Sequence, residues 1–154
     1  MRKVFTLCFI KENGKILLGM KKRGFGEGKW NGFGGKVETN ESIEECARRE
    51  FEEECGLCVS KLKEAGVIDF IFLDSKKELE VHIFEMENYN GELIETEEMF
   101  PKWFDCNDIP FEKMWADDPY WFPLFLDDKN FKGKFVFENQ DKIDNYELKV
   151  IERK

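Results

Sequence analysis

Histidine, proline and cysteine are scarce in this chain, and basic residues are outnumbered by acidic ones. The 154 residues include one histidine, four prolines and five cysteines, and the formal net charge is −9. A strongly acidic surface argues against binding to polymeric nucleic acid, which requires a basic face. No apolar stretch approaches the length needed to cross a membrane. We therefore expect a protein that binds neither polymeric nucleic acid nor a membrane.

The cysteines do not form a strong metal or redox motif. Cys55 and Cys58 have CxxC spacing, but no second pair of this kind exists and His82 is the only histidine. An odd number of cysteines fits free thiols in a reducing compartment. Charged residues close the apolar run at residues 4–10 and no cleavage site follows, so we predict a strand there rather than a signal peptide. We expect a cytoplasmic location, with the nucleus and the mitochondrion as further candidates.

Phenylalanine, in contrast, is abundant. The 16 phenylalanines and a hydrophobic content of 42% predict a packed core, and the length predicts one domain over residues 1–154. Asn13-Gly14 and Asn90-Gly91 are hairpin-turn signals. Strands are predicted at residues 4–10, 15–20, 65–73, 79–87, 131–137 and 146–151, and helices at residues 42–55 and 118–126. This mixture, without a βαβ rhythm, indicates an α/β fold with a mixed sheet and helices against its faces.

The first predicted helix places acidic side chains on its inward face. On a helical wheel, Glu50, Glu53 and Glu54 lie within or beside the apolar stripe that should face the protein body. Carboxylates that point inward are costly unless cations meet them, and magnesium prefers such hard oxygen ligands. The alternative is an ordinary solvated helix face, on which Glu45 and Arg49 form a surface ion pair. The glycines on both sides of the helix favour the metal site.

The segment GKVETNESIEECARREFEEECGL, from Gly35 to Leu57, resembles the signature of the Nudix hydrolases. Its glycine, glutamate and arginine positions all match the spacing of that family, and Phe51 stands where an aliphatic residue is usual. The resemblance implies an α/β/α sandwich and cleavage of nucleoside diphosphates linked to another group. It also implies magnesium, or manganese in its place. We expect Arg49 to orient the glutamates, with Glu41 as its partner.

The expected metal ligands are the Gly34 carbonyl and the carboxylates of Glu50, Glu53 and Glu54. The resemblance adds Glu98, which by itself would be a surface acid in a loop. Glu54 is the first candidate for the general base, because it lies nearest the centre of the inward face. Glu98 is the second candidate, and Glu53 completes the predicted catalytic set.

Residues 19–26, 30–36 and 114–123 resemble a group of animal Nudix hydrolases that are homologues of bacterial MutT. These enzymes act on oxidised purine nucleoside triphosphates such as 8-oxo-dGTP and 2-hydroxy-dATP. The resemblance implies a magnesium-dependent pyrophosphohydrolase that releases a monophosphate and pyrophosphate and so sanitises the nucleotide pool. The alternatives are another nucleotide substrate (a methylated purine nucleotide, a dinucleoside polyphosphate or a nucleoside diphosphate sugar) and a non-catalytic nucleotide-binding module. We expect a monomer whose partner is a small-molecule nucleotide.

The resemblance places Asp117 and Asp118 at the purine edge and Trp115 against the purine ring. Without it, the two aspartates would indicate a helix start. Two close carboxylates in a desolvated pocket resist double ionisation, so one keeps its proton and the pair can meet different bases. Asn31 offers both donors and an acceptor. The other predicted substrate contacts are Thr6, Lys21, Phe25, Gly34, Gly35, Phe70 and Met99, of which the aromatic and methionine side chains equally fit a core role. Leu79 and Phe100 are positions where pocket shape is expected to vary.

Overall fold

A computed structural model describes residues 2–152 as nine strands, two α-helices and one short 3-10 helix. The strands are β1 (Arg2–Phe9), β2 (Lys11–Glu12), β3 (Lys15–Lys21), β4 (Trp30–Asn31), β5 (Leu57–Phe72), β6 (Lys77–Gly91), β7 (Met99–Asp105), β8 (Asn130–Asn139) and β9 (Lys142–Ile151). The helices are α1 (Ile43–Cys55), the 3-10 helix (Phe111–Lys113) and α2 (Asp118–Leu126). Both predicted α-helices are present.

The strands form two sheets. The larger sheet has five strands in the order β1-β6-β5-β8-β9. In it β1 pairs with β6, and β5 with β8, in parallel, while the other pairs are antiparallel. In the smaller sheet, β2, β4 and β7 all pair antiparallel with β3. The predicted mixed sheet is therefore confirmed.

The two α-helices cover opposite sides of the larger sheet. Cys8 of β1 belongs to the buried cluster that contains the inner face of α1, whereas Phe9 belongs to the cluster that contains α2. Ile83 and Phe84 of β6 divide between the clusters in the same way. Successive side chains of a strand point to opposite faces, so the sheet lies between the helices. The result is the α/β/α sandwich that the sequence resemblance implied.

Local signals define both ends of α1. At its start, the Ser42 hydroxyl accepts the Glu45 N–H at 3.0 Å and the Glu45 carboxylate accepts the Ser42 N–H at 2.8 Å. At its end, Gly56 adopts a left-handed conformation (φ 85°) and donates its N–H to the Glu52 carbonyl. This reciprocal cap and glycine stop fix the helix on which the predicted metal ligands stand.

One local prediction is wrong, and one strand was not predicted. Asn13-Gly14 does turn the chain between β2 and β3, but Asn90-Gly91 forms the extended end of β6, paired with Cys58 and Leu57. The hairpin between β5 and β6 turns at residues 73–76 instead. Strand β7 was not predicted; it contains Pro101, which a strand tolerates at a sheet edge because no ladder N–H is required there.

The cysteines are all free, as expected, and Cys8, Cys46 and Cys55 are buried. Burial raises the pKa of the Cys8 thiol, and it raises the pKa of Cys55 to about 12. Over residues 2–152, none of the helices is both long enough and apolar enough to span a membrane.

We predict that Ser42→Ala lowers the free energy of unfolding by about 1 kcal/mol, because one N–H of the first turn of α1 loses its partner. Urea denaturation followed by circular dichroism measures the change. Ser75→Ala, in the exposed turn between β5 and β6, serves as the control and should change the stability by less than about 0.5 kcal/mol. Equal effects of the two substitutions would contradict the role of the cap.

Candidate active site

One cleft of about 370 Å³ runs between the face of the larger sheet, the loop that precedes α1 and the segment that precedes α2. Every residue predicted to contact substrate lines this cleft, together with Glu54. The predicted contacts are Thr6, Lys21, Phe25, Asn31, Gly34, Gly35, Phe70, Met99, Trp115, Asp117 and Asp118. The fold thus brings residues that are distant in sequence to one cavity, while their part in binding stays a prediction.

The loop before α1 approaches its neighbours too closely for any side chain. A Cβ atom at Gly34 would lie 1.9 Å from the Thr6 carbonyl oxygen, and one at Gly35 would lie 2.3 Å from Glu50 Oε2. The Cys46 Sγ lies 3.6 Å from both Thr6 Oγ1 and the Gly35 oxygen. Glycine is required at position 34 because the close neighbour is strand backbone, whereas a side chain at position 35 would displace the Glu50 carboxylate.

Glu54 is the most deeply buried of the predicted metal ligands, with only 6% of its surface exposed. Its Oε1 accepts the Gly34 N–H at 2.9 Å. Burial raises the pKa of Glu54 to about 7, and the nearby charges of Glu50 and Glu98 act in the same direction. The Gly34 hydrogen bond and the Lys21 ammonium oppose this rise only in part. A nearby cation would stabilise the ionised form of this buried carboxylate.

The other predicted carboxylates differ in exposure. Glu50 is half-buried, and burial raises its pKa. The inward orientation predicted for Glu53 is wrong: its side chain is 58% exposed and lies 3.3 Å from Arg49, because its position falls at the edge of the apolar stripe. Glu98 lies outside the cleft lining, where Arg23 donates two hydrogen bonds to Oε1 at 2.9 and 2.7 Å.

Arg49 connects these acids. Its guanidinium donates to both oxygens of Glu41, at 2.6 and 3.1 Å, and to Glu50 Oε1 at 2.9 Å. The paired guanidinium lowers the pKa of Glu41 to about 2. The expected Arg49–Glu41 partnership is therefore present. The alternative pair of Glu45 with Arg49 is not, because Glu45 caps the helix with Ser42 instead.

The donor set fits a hard divalent cation. Glu50 and Glu54 stand one helix turn apart on the side of α1 that faces the glycine loop, and both have raised pKa values that a cation would lower. Among residues 2–152, no three acid, histidine or cysteine side chains are gathered closely enough to hold an ion by themselves. The carboxylates of Glu50 and Glu53 are turned toward Arg49 instead. Protein oxygens alone would therefore supply only part of the coordination, as is usual for magnesium.

Aromatic side chains form the other end of the cleft. Trp115 is 9% exposed, and its ring centroid lies 5.1 Å from that of Phe25 and 6.0 Å from that of Phe72. It also contacts Phe137 of the core, at 6.1 Å. The Oδ1 of Asn31 accepts the Gly32 N–H at 2.8 Å, which orients the amide beside the cleft. Trp115 is thus both a core side chain and a wall of the cleft.

Asp117 and Asp118 are almost completely buried, with 3% and 2% of their surfaces exposed. Asp117 precedes α2 but makes no capping bond; its Oδ2 accepts the Trp121 Nε1–H at 2.7 Å. Within residues 2–152, Asp118 Oδ2 has no hydrogen-bond partner. Burial raises the pKa of Asp117 to about 6, and burial together with the neighbouring Asp117 raises that of Asp118 well above its usual value. The helix-start interpretation therefore does not account for these side chains.

The sequence analysis did not predict some of the residues that line the cleft. Lys29 Nζ lies 5.5 Å from the Trp115 ring centroid, and Lys77 Nζ lies 4.7 Å from that of Phe25. Leu79 lines the cleft as expected, but Phe100 does not; it lies beside Trp30. The other cleft residues that were not predicted are Lys3, Phe5, Leu7, Gly26, Gly32, Phe72, Glu78 and Val81. Strand alternation carried a signal for Phe5, which faces Val81 across the β1–β6 pair, but no pattern marked the lysines.

Comparison with known proteins agrees with this architecture. Residues 1–125 match the model of the NUDIX domain family. The chain is 53% identical to an oxidized purine nucleoside triphosphate hydrolase of Danio rerio over 97% of this chain and 96% of that protein. It is 48% identical to the Mus musculus protein of the same name, with the same coverage. A MutT protein structure from Bacillus halodurans superposes with a TM-score of 0.84 at 27% identity, covering 95% of this chain and 97% of that one. The chain therefore belongs to the Nudix family.

Proposed function

We propose that this protein hydrolyses oxidised purine nucleoside triphosphates to monophosphates and pyrophosphate. The observation that carries the proposal is a single cleft that joins the buried Glu54 to an aromatic pocket containing Asp117 and Asp118. The names of the Danio rerio and Mus musculus relatives support the same substrate class. Because one chain supplies all the cleft residues, we expect a monomer to be active.

In the proposed complex, the purine lies at the aromatic end of the cleft. Trp115 and Phe25 supply ring faces for stacking, and Asn31 supplies an oriented amide. The two aspartates meet the base edge as one proton donor and one acceptor, since both cannot ionise readily when buried side by side. This end of the cleft therefore reads the hydrogen-bonding pattern of the base.

The triphosphate lies at the other end, between Lys21 and α1. Lys21 stands near Glu98, with its Nζ 3.8 Å from the Glu98 Oε2, and its charge acts on Glu54. The Gly34 carbonyl, Glu50, Glu53, Glu54 and Glu98 would hold magnesium, or manganese in its place. When bound, the divalent ion neutralises phosphate charge and lowers the pKa of a coordinated water.

Glu54 is better suited than Glu98 to accept the proton of the attacking water. Glu54 is buried and lines the cleft, whereas Glu98 lies outside the lining and accepts two hydrogen bonds from Arg23. A general base must lie within hydrogen-bond reach of the proton that it removes. Attack of the water oxygen on a phosphorus of the α–β bridge then breaks the bridging P–O bond, and the departing phosphate group takes the electron pair, which gives a monophosphate and pyrophosphate.

Turnover of 8-oxo-dGTP, 2-hydroxy-dATP, dGTP and ADP-ribose, measured side by side with magnesium and with EDTA, tests the proposal. We expect magnesium-dependent release of pyrophosphate, with the highest kcat/KM on the oxidised purines. Preference for ADP-ribose would overturn the proposed substrate class. A protein that binds these nucleotides but hydrolyses none of them with magnesium or manganese would be a non-catalytic binding module.

Glu54→Gln should reduce kcat by at least about 10²-fold, because it removes a metal ligand and the proposed base while keeping the side-chain shape. Affinity for the product monophosphate should change much less. Glu52→Gln, on the exposed face of the same helix, is the matched control and should retain wild-type turnover. Near-normal turnover in a folded Glu54→Gln protein would refute the assignment.

Trp115→Ala should weaken nucleotide binding by about 1–3 kcal/mol through the loss of stacking. Because Trp115 also packs on core aromatics, the melting temperature of the variant should fall as well. Trp103→Ala, which removes a partly buried tryptophan outside the cleft, separates the two effects. If affinity per folded molecule fell equally in both variants, Trp115 would be only a core residue.

Asp117→Asn and Asp118→Asn should change substrate preference in opposite directions. Each asparagine fixes a hydrogen-bonding pattern that the aspartate pair can switch by moving a proton. An unmatched buried group costs about 1–3 kcal/mol, so the ratio of 8-oxo-dGTP to 2-hydroxy-dATP turnover should move by roughly ten- to hundredfold. Equal losses on both substrates, with unchanged pH profiles, would show that the pair does not read the base.

The burial of Asp117 and Asp118 predicts that replacing one of them by asparagine stabilises the fold, by an amount that depends on pH. A carboxyl group whose pKa is raised in the folded state stabilises the fold fully below its ordinary value near 3.8, and that contribution is lost as pH rises through the folded-state pKa, which for Asp118 lies well above the ordinary value. Asp118→Asn should therefore raise the free energy of unfolding by about 1–3 kcal/mol at pH 8 and by less at pH 4. Urea denaturation at the two pH values measures the difference, and an equal change at both would contradict it.

A further inference from the structure

The mouth of the cleft carries an aromatic side chain on an unusual loop. Phe25 is 42% exposed, in the loop between β3 and β4. Gly24, Gly26 and Gly28 alternate along this loop, all with φ between 83° and 87°. Side chains other than glycine rarely adopt this left-handed conformation, so the loop is built from positions with wide conformational freedom. Backbone hydrogen bonds from the N–H groups of Glu27, Gly28 and Lys29 hold the loop, and the contacts of the Phe25 ring fix the side chain.

Those contacts come from two directions. Trp115 and Phe72 form a wall on one side, with ring centroids 5.1 and 5.7 Å from that of Phe25. Lys77 supplies the other contact, with its Nζ 4.7 Å from the ring centroid. Phe72 ends β5 and Lys77 begins β6, and the two residues pair directly across the hairpin. One rigid hairpin thus presents both an apolar contact and a cation to the same ring.

The Lys77 ammonium has no competing carboxylate. Over residues 2–152, no acidic group lies within 4.0 Å of its Nζ, whereas Lys21, Lys22 and Lys29 each have an acidic partner. A lysine cation over an aromatic face is attracted by the electron density of the ring. The contact is therefore available to hold Phe25 in the free protein.

We propose that Lys77 is a positioning residue that holds Phe25 against the Trp115–Phe72 wall and so preforms the base end of the cleft. The proposal rests on the proposed function for its choice of nucleotide. Lys77 acts through Phe25 and touches no phosphate, so its loss affects binding and leaves the chemistry at Glu54 unchanged. Without Lys77 the Phe25 side chain is less ordered in the free protein. Binding of the base must then order it, and the free energy of this ordering lowers the affinity.

Lys77→Met keeps the length of the side chain and removes the charge. We expect KM for 8-oxo-dGTP and Kd for the product 8-oxo-dGMP to rise about two- to fivefold, the size of one exposed cation–π contact, with kcat unchanged. Lys77→Arg, which retains a cation over the ring, should restore both values. Lys76→Met is the matched control, because it makes the same charge change one residue away and outside the cleft. Equal effects at the two positions would overturn the proposal.

A double-mutant cycle with Phe25→Leu tests whether Lys77 acts through the ring. In the Phe25→Leu background, Lys77→Met should have no further effect on Kd. A full two- to fivefold effect in that background would mean that Lys77 acts without Phe25, and it would overturn the proposal.

The same cycle, measured as free energies of unfolding without nucleotide, tests the contact apart from the proposed function. If the two substitutions are coupled in unfolding but 8-oxo-dGMP does not bind, the Lys77–Phe25 contact is supported and the proposed substrate class is rejected. Tight binding of 8-oxo-dGMP without coupling in either cycle would reject the role of Lys77 alone.

Discussion

The close approach of the glycine loop to helix α1 is the constraint on which the site depends. Gly34 hydrogen-bonds Glu54, and Gly35 lies where any side chain would meet the Glu50 carboxylate. This contact places two acidic groups beside the backbone of the glycine loop, and burial then raises their pKa values. The helix caps and the Arg49 network support the same arrangement, because they fix the helix in register with the loop. The proposed affinity of the site for a cation would therefore depend on backbone packing as much as on the acids themselves.

The features that sequence predicted well are those set by local chemistry. Helix α1 was found because Ser42 and Gly56 mark its ends within one turn of the chain. The bounds of α2 were predicted from the Asp117-Asp118-Pro119 run, which is typical of a helix start, and from the aromatic residues that follow it. The predicted substrate contacts came from resemblance to a family, and all of them line the cleft. Their common location could be predicted only because related proteins share the pattern.

The features that sequence missed are set by contacts between distant segments. Asn90-Gly91 has the composition of a tight turn, yet pairing with the start of β5 keeps it extended. Glu53 sits at the border of the inward stripe, where the helical wheel cannot decide its orientation and Arg49 draws it outward. Lys77 reaches Phe25 only because the β5–β6 hairpin folds across a loop some fifty residues earlier in the chain. Periodicity and turn signals carry no information about such encounters.

The burial of the cysteines has a chemical consequence for a protein that would work where oxidants are present. Peroxide attacks the thiolate form, and both a raised pKa and exclusion from solvent suppress that form. Cys46 touches Thr6 and Gly35 at the base of the cleft, and burial raises its pKa. Cys55 ends the same helix and Cys8 contacts it from β1, and burial raises the pKa of both thiols as well. Sulfenic acid formation at the exposed Cys58 would modify the surface and leave the cleft intact. The architecture thus shields the three buried thiols of Cys8, Cys46 and Cys55 from oxidants.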